Sequence, residues 1–150
     1  MSMKIDPKQF SDNPIFEGLS ENHRKSVLSG GVVNRYSSGE NIFLEGEAGE
    51  AMYLVLSGKV EIQVQNKGGL AEVVGRLKAG EIFGEGSLIT DAPRSGTATA
   101  VRDTYLIAFS RKALHDLIEN HPKASALFMY RIMRSLFIRL RNTTQKLSRK

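Results

Sequence analysis

The chain contains no cysteine among its 150 residues, which excludes a disulfide framework and a metal site built on thiolates. Histidine is also scarce: there are three, and none lies between residues 32 and 109. A metal site built from imidazoles in that segment is therefore excluded as well. No serine stands in a nucleophile-elbow pattern. We therefore expect neither catalytic residues nor a metal site.

Long apolar runs are absent too. No stretch approaches the roughly 20 residues that a membrane-spanning helix needs, and the N-terminus is polar rather than signal-like. An apolar content of 41% and a charged content of 25% are ordinary for a globular protein. The length fits one domain over residues 1–150. We expect a single cytoplasmic domain with no membrane span.

Acidic residues are missing from the last twenty positions, although the net charge of the whole chain is only +5. The basic residues there are Arg131, Arg134, Arg139, Arg141, Lys146, Arg149 and Lys150. Such a helix is either a solvated face favoured by the helix dipole or a surface for nucleic acid or acidic membrane. Because it offers only Asn142 and Gln145 as base-reading amides, we expect no nucleic-acid binding by this chain alone.

Three segments differ in pattern. Residues 6–31 indicate short helices, residues 32–109 indicate short strands separated by many glycines, and residues 110–150 indicate two helices. The apolar positions of the first segment are Phe10, Ile15, Phe16, Leu19, Val27 and Leu28. The expected helix starts are marked by Ser20, Ser110 and Pro122. The pattern predicts a mainly β fold with helices at both ends (α+β), its strands forming an antiparallel sandwich or barrel.

A heptad pattern runs through the last helix. Its core positions are Ala126, Met129, Met133, Leu136, Leu140, Thr143 and Leu147. This seam packs on its own domain, on a second copy of the chain, or on both. Because the second half of the helix is expected to project beyond the domain, we predict a weak homodimer through the C-terminal helix.

The segment over residues 83–96 carries the clearest functional signal. Its small residues allow backbone N–H groups to approach an anion, and the start of a helical turn aims unpaired donors at it. Arg94 supplies a countercharge with a forked set of donors. A carboxylate at Glu85 suits such a pocket only if the ligand also offers hydroxyl groups. The pattern indicates a sugar phosphate or a nucleotide.

Residues 83–85, 87–89 and 93–95 resemble the phosphate-binding cassette of the cyclic nucleotide-binding domain family. Residues 39–47 and 52–60 are similar to the early strands of that family. The resemblance implies a jelly-roll-like β-roll over residues 32–109, with the cassette at residues 83–96. It also implies a non-enzymatic module that binds cAMP or cGMP and needs no cofactor.

The resemblance assigns roles to individual residues. Arg94 would pair with the exocyclic phosphate oxygens, and Glu85 would accept a hydrogen bond from the ribose 2′-hydroxyl. The expected ligand-binding residues are Phe83, Gly84, Glu85, Gly86, Ser87, Leu88, Arg94, Ser95, Gly96, Val73 and Val74. The candidates for capping the base are Met129, Ile132, Met133 and Leu136. Ser95 would suit guanine, but bacterial relatives with serine there often prefer adenine, which favours cAMP.

Two residues depart from the family pattern. Gly86 stands where the family usually has a larger apolar side chain, and Gly96 stands where it usually has alanine. Three functions remain open. The chain is a cyclic nucleotide sensor that signals to an unidentified protein effector through movement of its C-terminal helix, a ligand-free interaction and dimerisation module of the same fold, or part of a nucleotide-dependent transcriptional regulator.

Overall fold

The computed structural model describes residues 12–148, which divide into two units. One unit comprises residues 30–115, and the other comprises residues 12–29 together with residues 116–148. The helical prediction for residues 6–11, including the apolar position Phe10, lies outside the described residues. Arg149 and Lys150 also lie outside them. The assignment of residues 1–150 to a single domain stays a prediction.

The first unit is built from strands arranged in two sheets. The strands are β1 (Gly31–Tyr36), β2 (Asn41–Phe43), β3 (Ala51–Ser57), β4 (Lys59–Gln65), β5 (Ala71–Lys78), β6 (Ile82–Phe83), β7 (Thr97–Ala100) and β8 (Thr104–Ser110). One sheet has the order β1-β8-β3-β6 and the other the order β2-β7-β4-β5. Every pairing is antiparallel. The predicted class, mainly β with helices at both ends, is confirmed.

The core of this unit is formed by residues from both sheets. Its buried members are Val55, Val60, Leu77, Phe83, Ala98 and Leu106. Partly buried residues that pack against them are Tyr36, Ile42, Phe43, Tyr53 and Ile62. Because successive side chains of a strand point to opposite faces, β3 and β4 contribute alternate residues to this core: Tyr53 and Val55, and Val60 and Ile62. Phe83 at the end of β6 thereby ties the following cassette to the core.

The helices begin where the sequence predicts. Ser20 accepts a hydrogen bond from the His23 N–H (3.1 Å) and caps α1 (Glu21–Leu28). Ser110 accepts one from the Ala113 N–H (3.0 Å) and caps α2 (Arg111–Asn120). Pro122 is the first residue of α3 (Pro122–Ser148). These starts are confirmed because capping depends on residues close together in sequence.

The second unit is held together by the first half of α3. Phe128 stacks on Phe16 with ring centroids 6.0 Å apart, and Phe16 belongs to a short 3-10 helix (Pro14–Phe16). Arg131 lies 3.8 Å from the Glu17 carboxylate. Within the described residues, the apolar positions predicted for the N-terminal segment are all buried: Ile15, Phe16, Leu19, Val27 and Leu28.

An exposed apolar stripe runs along α3 from Tyr130 to Leu147. We define this α3 stripe as Tyr130, Met133, Phe137, Leu140 and Leu147. The spacings of three, four, three and seven residues place these side chains on one side of the helix. The stripe is centred on Phe137, which is 65% exposed, whereas Leu136 of the predicted seam is half-buried. The stripe therefore shares Met133, Leu140 and Leu147 with the predicted seam, and Phe137 takes the place of Leu136.

Two kinds of feature are absent from residues 12–148. None of the helices in this range combines the length and the apolar character that crossing a membrane requires. Nor does this part of the chain contain a group of three or more histidine, cysteine, aspartate or glutamate residues arranged to hold a metal ion.

Candidate functional site

The cassette begins with a sharp turn at Gly84. This glycine follows β6 and has φ 73° and ψ 17°, the left-handed conformation, directly before a 3-10 helix (Glu85–Leu88). A Cβ atom on Gly84 would lie 2.8 Å from Arg94 Nη1. Glycine is therefore needed here for two reasons, since any side chain would be strained by the backbone conformation and would also displace the arginine.

The Arg94 side chain is turned into the protein and is only 7% exposed. Its Nη1 donates to the Gly84 carbonyl (3.0 Å) and its Nη2 donates to the Ala51 carbonyl (2.8 Å). The guanidinium carbon lies 4.0 Å from the centre of the Phe43 ring, within the range of a cation–π contact. These contacts fix the guanidinium in one orientation.

One polar atom of this side chain is left without a partner. Among the described residues, Arg94 Nε is the only buried side-chain nitrogen or oxygen that makes no hydrogen bond. A Cβ atom on Gly49 would lie 2.5 Å from Arg94 Cζ and still closer to Arg94 Nε and Ser87 Oγ. Gly49 and Ser87 therefore border the Nε group. Because an unpaired buried donor on a charged group is costly, the site suits an anionic acceptor.

The charges around Arg94 are mixed. Burial lowers the pKa of the Arg94 guanidinium from its ordinary value, whereas Tyr53, Glu47 and Glu85 act on that pKa in the opposite direction. Arginine nevertheless stays protonated at physiological pH. The structure thus brings the Glu85 carboxylate near enough to Arg94 to interact electrostatically. A cation and a carboxylate in one site match a ligand that carries both a phosphate and a hydroxyl group.

The backbone of Arg94 is anchored to the turn that follows β2. The Arg94 N–H donates to the Glu47 carbonyl (2.8 Å), and the Gly46 N–H donates to the Arg94 carbonyl (2.8 Å). Under the side chain, Tyr53 and Phe83 stack with ring centroids 5.2 Å apart. Backbone and side chain are therefore both held by residues distant from Arg94 in sequence.

The remaining cassette residues differ in placement. Phe83, Ser87 and Leu88 are buried, whereas Gly86 and Ser95 are exposed. A Cβ atom on Gly86 would meet nothing within 4 Å, so the site has room for a larger side chain at that position.

Gly96 is packed against β4. A Cβ atom there would lie 2.9 Å from both the Gln63 carbonyl oxygen and Ile62 Cγ2. Glycine at this position therefore allows the chain to approach β4 closely, a structural reason that the sequence does not reveal.

Val73 and Val74 lie on β5, at an irregularity in its pairing with β4. Gln63 pairs with Val73 while Ile62 pairs with Gly75, so Val74 is the extra residue of a β-bulge. On its other side Gln63 pairs with Thr97 of β7. Both valines are exposed and lie across β4 from the strand that follows the cassette. Their predicted contact with ribose or base stays a prediction.

Three residues at the site were not found from the sequence. Phe43, at the end of β2, and Gly49, between β2 and β3, contact Arg94 although they precede it by more than 40 residues in the sequence. Arg111 is the third: its guanidinium donates to the Ser87 and Thr90 carbonyls and pairs with Asp91. For Phe43 and Gly49, the only signal in the sequence is the pair of glycines at positions 46 and 49, which indicates a turn. For Arg111 the sequence offers no signal of a role at the site, because the residue stands at the start of a predicted helix.

The family model of the cyclic nucleotide-binding domain matches residues 33–121, more than half of the chain. This chain belongs to the cyclic nucleotide-binding domain family. Apart from the first two residues of β1, the match covers both sheets of the β-roll, and it includes the entire cassette. The predicted family is therefore confirmed.

Curated relatives of this cyclic nucleotide-binding domain include bacterial and fungal proteins. A cyclic AMP receptor protein from Thermus thermophilus is 39% identical over 110 residues, covering 73% of this chain and 51% of that protein. A cAMP-dependent protein kinase regulatory subunit from Mycosarcoma maydis is 36% identical over 128 residues, covering 77% of this chain and 24% of that protein. The chain thus spans about half of the first relative and about a quarter of the second.

Solved structures agree on the β-roll. The Thermus thermophilus catabolite activator protein superposes with a TM-score of 0.79 at 36% identity, covering 90% of this chain and 62% of that chain. A cyclic nucleotide-binding domain from Methylobacillus flagellatus gives a TM-score of 0.89 over 100% of this chain and 89% of that chain. At 23% identity the second comparison shows the fold alone.

Proposed function

We propose that this chain binds a cyclic nucleotide, with cAMP preferred to cGMP, and acts as a regulatory module without turning the ligand over. The observation that carries the proposal is the buried Arg94 Nε, a charged donor without a partner beside Gly49 and Ser87. A phosphodiester oxygen is an acceptor of the charge and size that such a donor needs. The relatives whose names specify cAMP support the choice of base.

Different residues of the chain are proposed to bind different parts of the nucleotide. Arg94 donates to the phosphate while its other two nitrogens stay bonded to the Gly84 and Ala51 carbonyls. Glu85, close enough to Arg94 to influence its pKa, accepts from the ribose 2′-hydroxyl. The backbone groups of Gly84 and Ser95 are candidates for further phosphate contacts. No residue in this set is arranged as a nucleophile with a general base, so we propose recognition without chemistry.

Calorimetric titration with cAMP, cGMP and 5′-AMP tests the proposal. We expect one site per chain, tighter binding of cAMP than of cGMP, and much weaker binding of the non-cyclic nucleotide. Tighter binding of cGMP would reverse the assignment of the base. If none of the three binds, the chain is instead a ligand-free interaction module of this fold.

The role of Glu85 predicts a selective loss. Glu85→Gln should weaken binding of cAMP more than binding of its 2′-deoxy analogue, because only cAMP offers the 2′-hydroxyl. Titrating both ligands into both proteins measures a coupling energy, expected to be about 1.5–3 kcal/mol for a hydrogen bond to a charged group. Equal losses of affinity for the two ligands would show that Glu85 does not contact the ribose 2′-hydroxyl.

We also propose a weak homodimer through the α3 stripe. Met133, Phe137 and Leu140 are each more than 60% exposed, and burying each large apolar side chain is worth about 1.5–3 kcal/mol. Arg134 and Arg141, each next to a stripe residue on α3, place like charges close together in a dimer. Since salt screens such repulsion, the dimer should tighten as salt rises.

Sedimentation velocity checks this prediction. Phe137→Glu combined with Leu140→Glu should give a monomer at concentrations where the unmodified chain is dimeric. The matched control adds the same charges at exposed polar positions of α3 through Asn142→Glu and Gln145→Glu, and should leave the dimer intact. An unmodified chain that is monomeric at high concentration in both low and high salt would exclude the stripe as an interface.

The output of the module is proposed to pass through α3. Movement of this C-terminal helix on ligand binding would present a changed surface to an unidentified protein effector. Apolar residues of α3 are the proposed caps for the base: Met129, Ile132, Met133 and Leu136. A ligand that binds more tightly when the helix is in one conformation than in another shifts the population toward the first conformation. The difference in binding free energy sets the size of this shift.

A further inference from the structure

The side chain of Arg111 holds the end of the cassette 3-10 helix. Its Nε and Nη2 both donate to the Ser87 carbonyl, at 3.0 and 2.8 Å. Nη2 also donates to the Thr90 carbonyl (2.6 Å), and Nη1 pairs with the Asp91 carboxylate (2.7 Å). Carbonyls at the end of a helix lack partners within it, and a cation there is favoured. All three guanidinium nitrogens are therefore engaged with the cassette.

The backbone of Arg111 is tied to a second segment of the site. Its N–H donates to the Glu50 carbonyl at 2.7 Å. The residue before Glu50 is Gly49, which borders Arg94 Nε, and the residue after it is Ala51, whose carbonyl accepts from Arg94. Arg111 thus connects the two segments that border the unpaired Arg94 Nε, namely the segment around Gly49 and the cassette around Ser87.

We propose that Arg111 is a positioning residue for nucleotide binding, which keeps the cassette in its binding geometry before the ligand arrives. This rests on the proposed function of the site. Arg111 acts through the backbone carbonyls that it holds, not through contact with the ligand. When a binding-competent conformation is only partly populated, the apparent affinity falls by that fraction. Without the Arg111 fork, the Ser87 and Thr90 carbonyls lose their partners and the competent cassette becomes a minor state.

The test is Arg111→Met, which keeps an unbranched chain but removes the fork. We expect binding of cAMP to weaken about tenfold because the competent cassette becomes the minor population. In the unliganded variant, hydrogen exchange should be faster at the cassette amides of Ser87, Ile89 and Thr90, which bond to the Gly84 and Gly86 carbonyls. Saturating cAMP should restore their protection. Arg111→Lys should give an affinity and exchange rates between those of the unmodified chain and those of Arg111→Met, because the point charge of lysine cannot reproduce the fork.

The control is Arg35→Met on β1, which removes an exposed ion pair with Asp103 (3.3 Å). It should change neither cAMP affinity nor cassette exchange. Unchanged exchange of the three amides in unliganded Arg111→Met would overturn the proposal, as would weaker binding with the amides still protected. If Arg111→Met does not fold, Arg111→Lys and Asp91→Ala carry the same comparison. If the unmodified chain binds neither cAMP nor cGMP, the proposed function fails, while exchange in the unliganded proteins still decides the role of Arg111.

Discussion

Arg94→Ala is expected to weaken cyclic nucleotide binding by about 30-fold to several thousandfold, equivalent to about 2–5 kcal/mol. The guanidinium is buried, fixed by two carbonyls and by the Phe43 ring, and has one donor left over. Removing it takes away the charge and the donor proposed to meet the phosphate. Calorimetry with cAMP measures the loss, and a fall of less than threefold would show that Arg94 does not contact the phosphate.

The same substitution should also lower stability, which the sequence alone does not indicate. The Gly84 and Ala51 carbonyls lose their partner, and an unsatisfied buried polar group costs about 1–3 kcal/mol. Thermal unfolding without ligand measures this effect separately. Arg35→Ala is the matched control, because that exposed arginine on β1 should affect neither stability nor binding by much.

Gly49→Ala is expected to weaken binding by about 10-fold to 100-fold through one added methyl group. The backbone of Gly49 does not require glycine, since its φ is not positive. The new Cβ atom would instead occupy the space of the Arg94 guanidinium and Ser87 Oγ, forcing the arginine to move. Overpacking of this kind costs about 1–3 kcal/mol. Titration with cAMP, alongside circular dichroism to establish that the fold is retained, measures the effect.

Gly86→Ala is the matched control for this prediction. The added methyl group meets nothing within 4 Å, and the φ of Gly86 is also not positive. Alanine should therefore leave affinity unchanged or slightly improve it by restricting the unliganded cassette. Equal affinity of Gly49→Ala and Gly86→Ala for cAMP would contradict the placement of Gly49 against Arg94.

What the sequence predicted well was local. Ser20, Ser110 and Pro122 act on helix starts within a few residues, so pattern and chemistry agree with the structure. The cassette is likewise one continuous segment, and it brings Glu85 and Arg94 together over nine positions. Signals of this kind do not depend on how distant strands meet.

What the sequence did not predict came from long-range packing. Phe43 and Gly49 meet Arg94 only because the turn after β2 pairs with the Arg94 backbone. From the sequence, Gly96 differs from the usual alanine only by the absence of a methyl group. In the structure, this glycine allows its own segment of the chain to approach β4 closely. On α3, Met133, Leu140 and Leu147 of the predicted seam are exposed, but Leu136 is half-buried and Phe137 is exposed in its place. None of these facts is encoded in the spacing of neighbouring residues.

The unpaired Arg94 Nε–H is proposed to bind the phosphate of a cyclic nucleotide. Nuclear magnetic resonance of the arginine Nε–H groups tests this contact, with the Arg94 signal assigned by its loss in Arg94→Lys. On addition of cAMP that signal should move downfield and exchange more slowly with water, because the group gains a charge-assisted hydrogen bond. Adenosine, which lacks the phosphate, should leave it unchanged. An Arg94 Nε–H signal that stays in place at saturating cAMP would show that this group does not bind the phosphate.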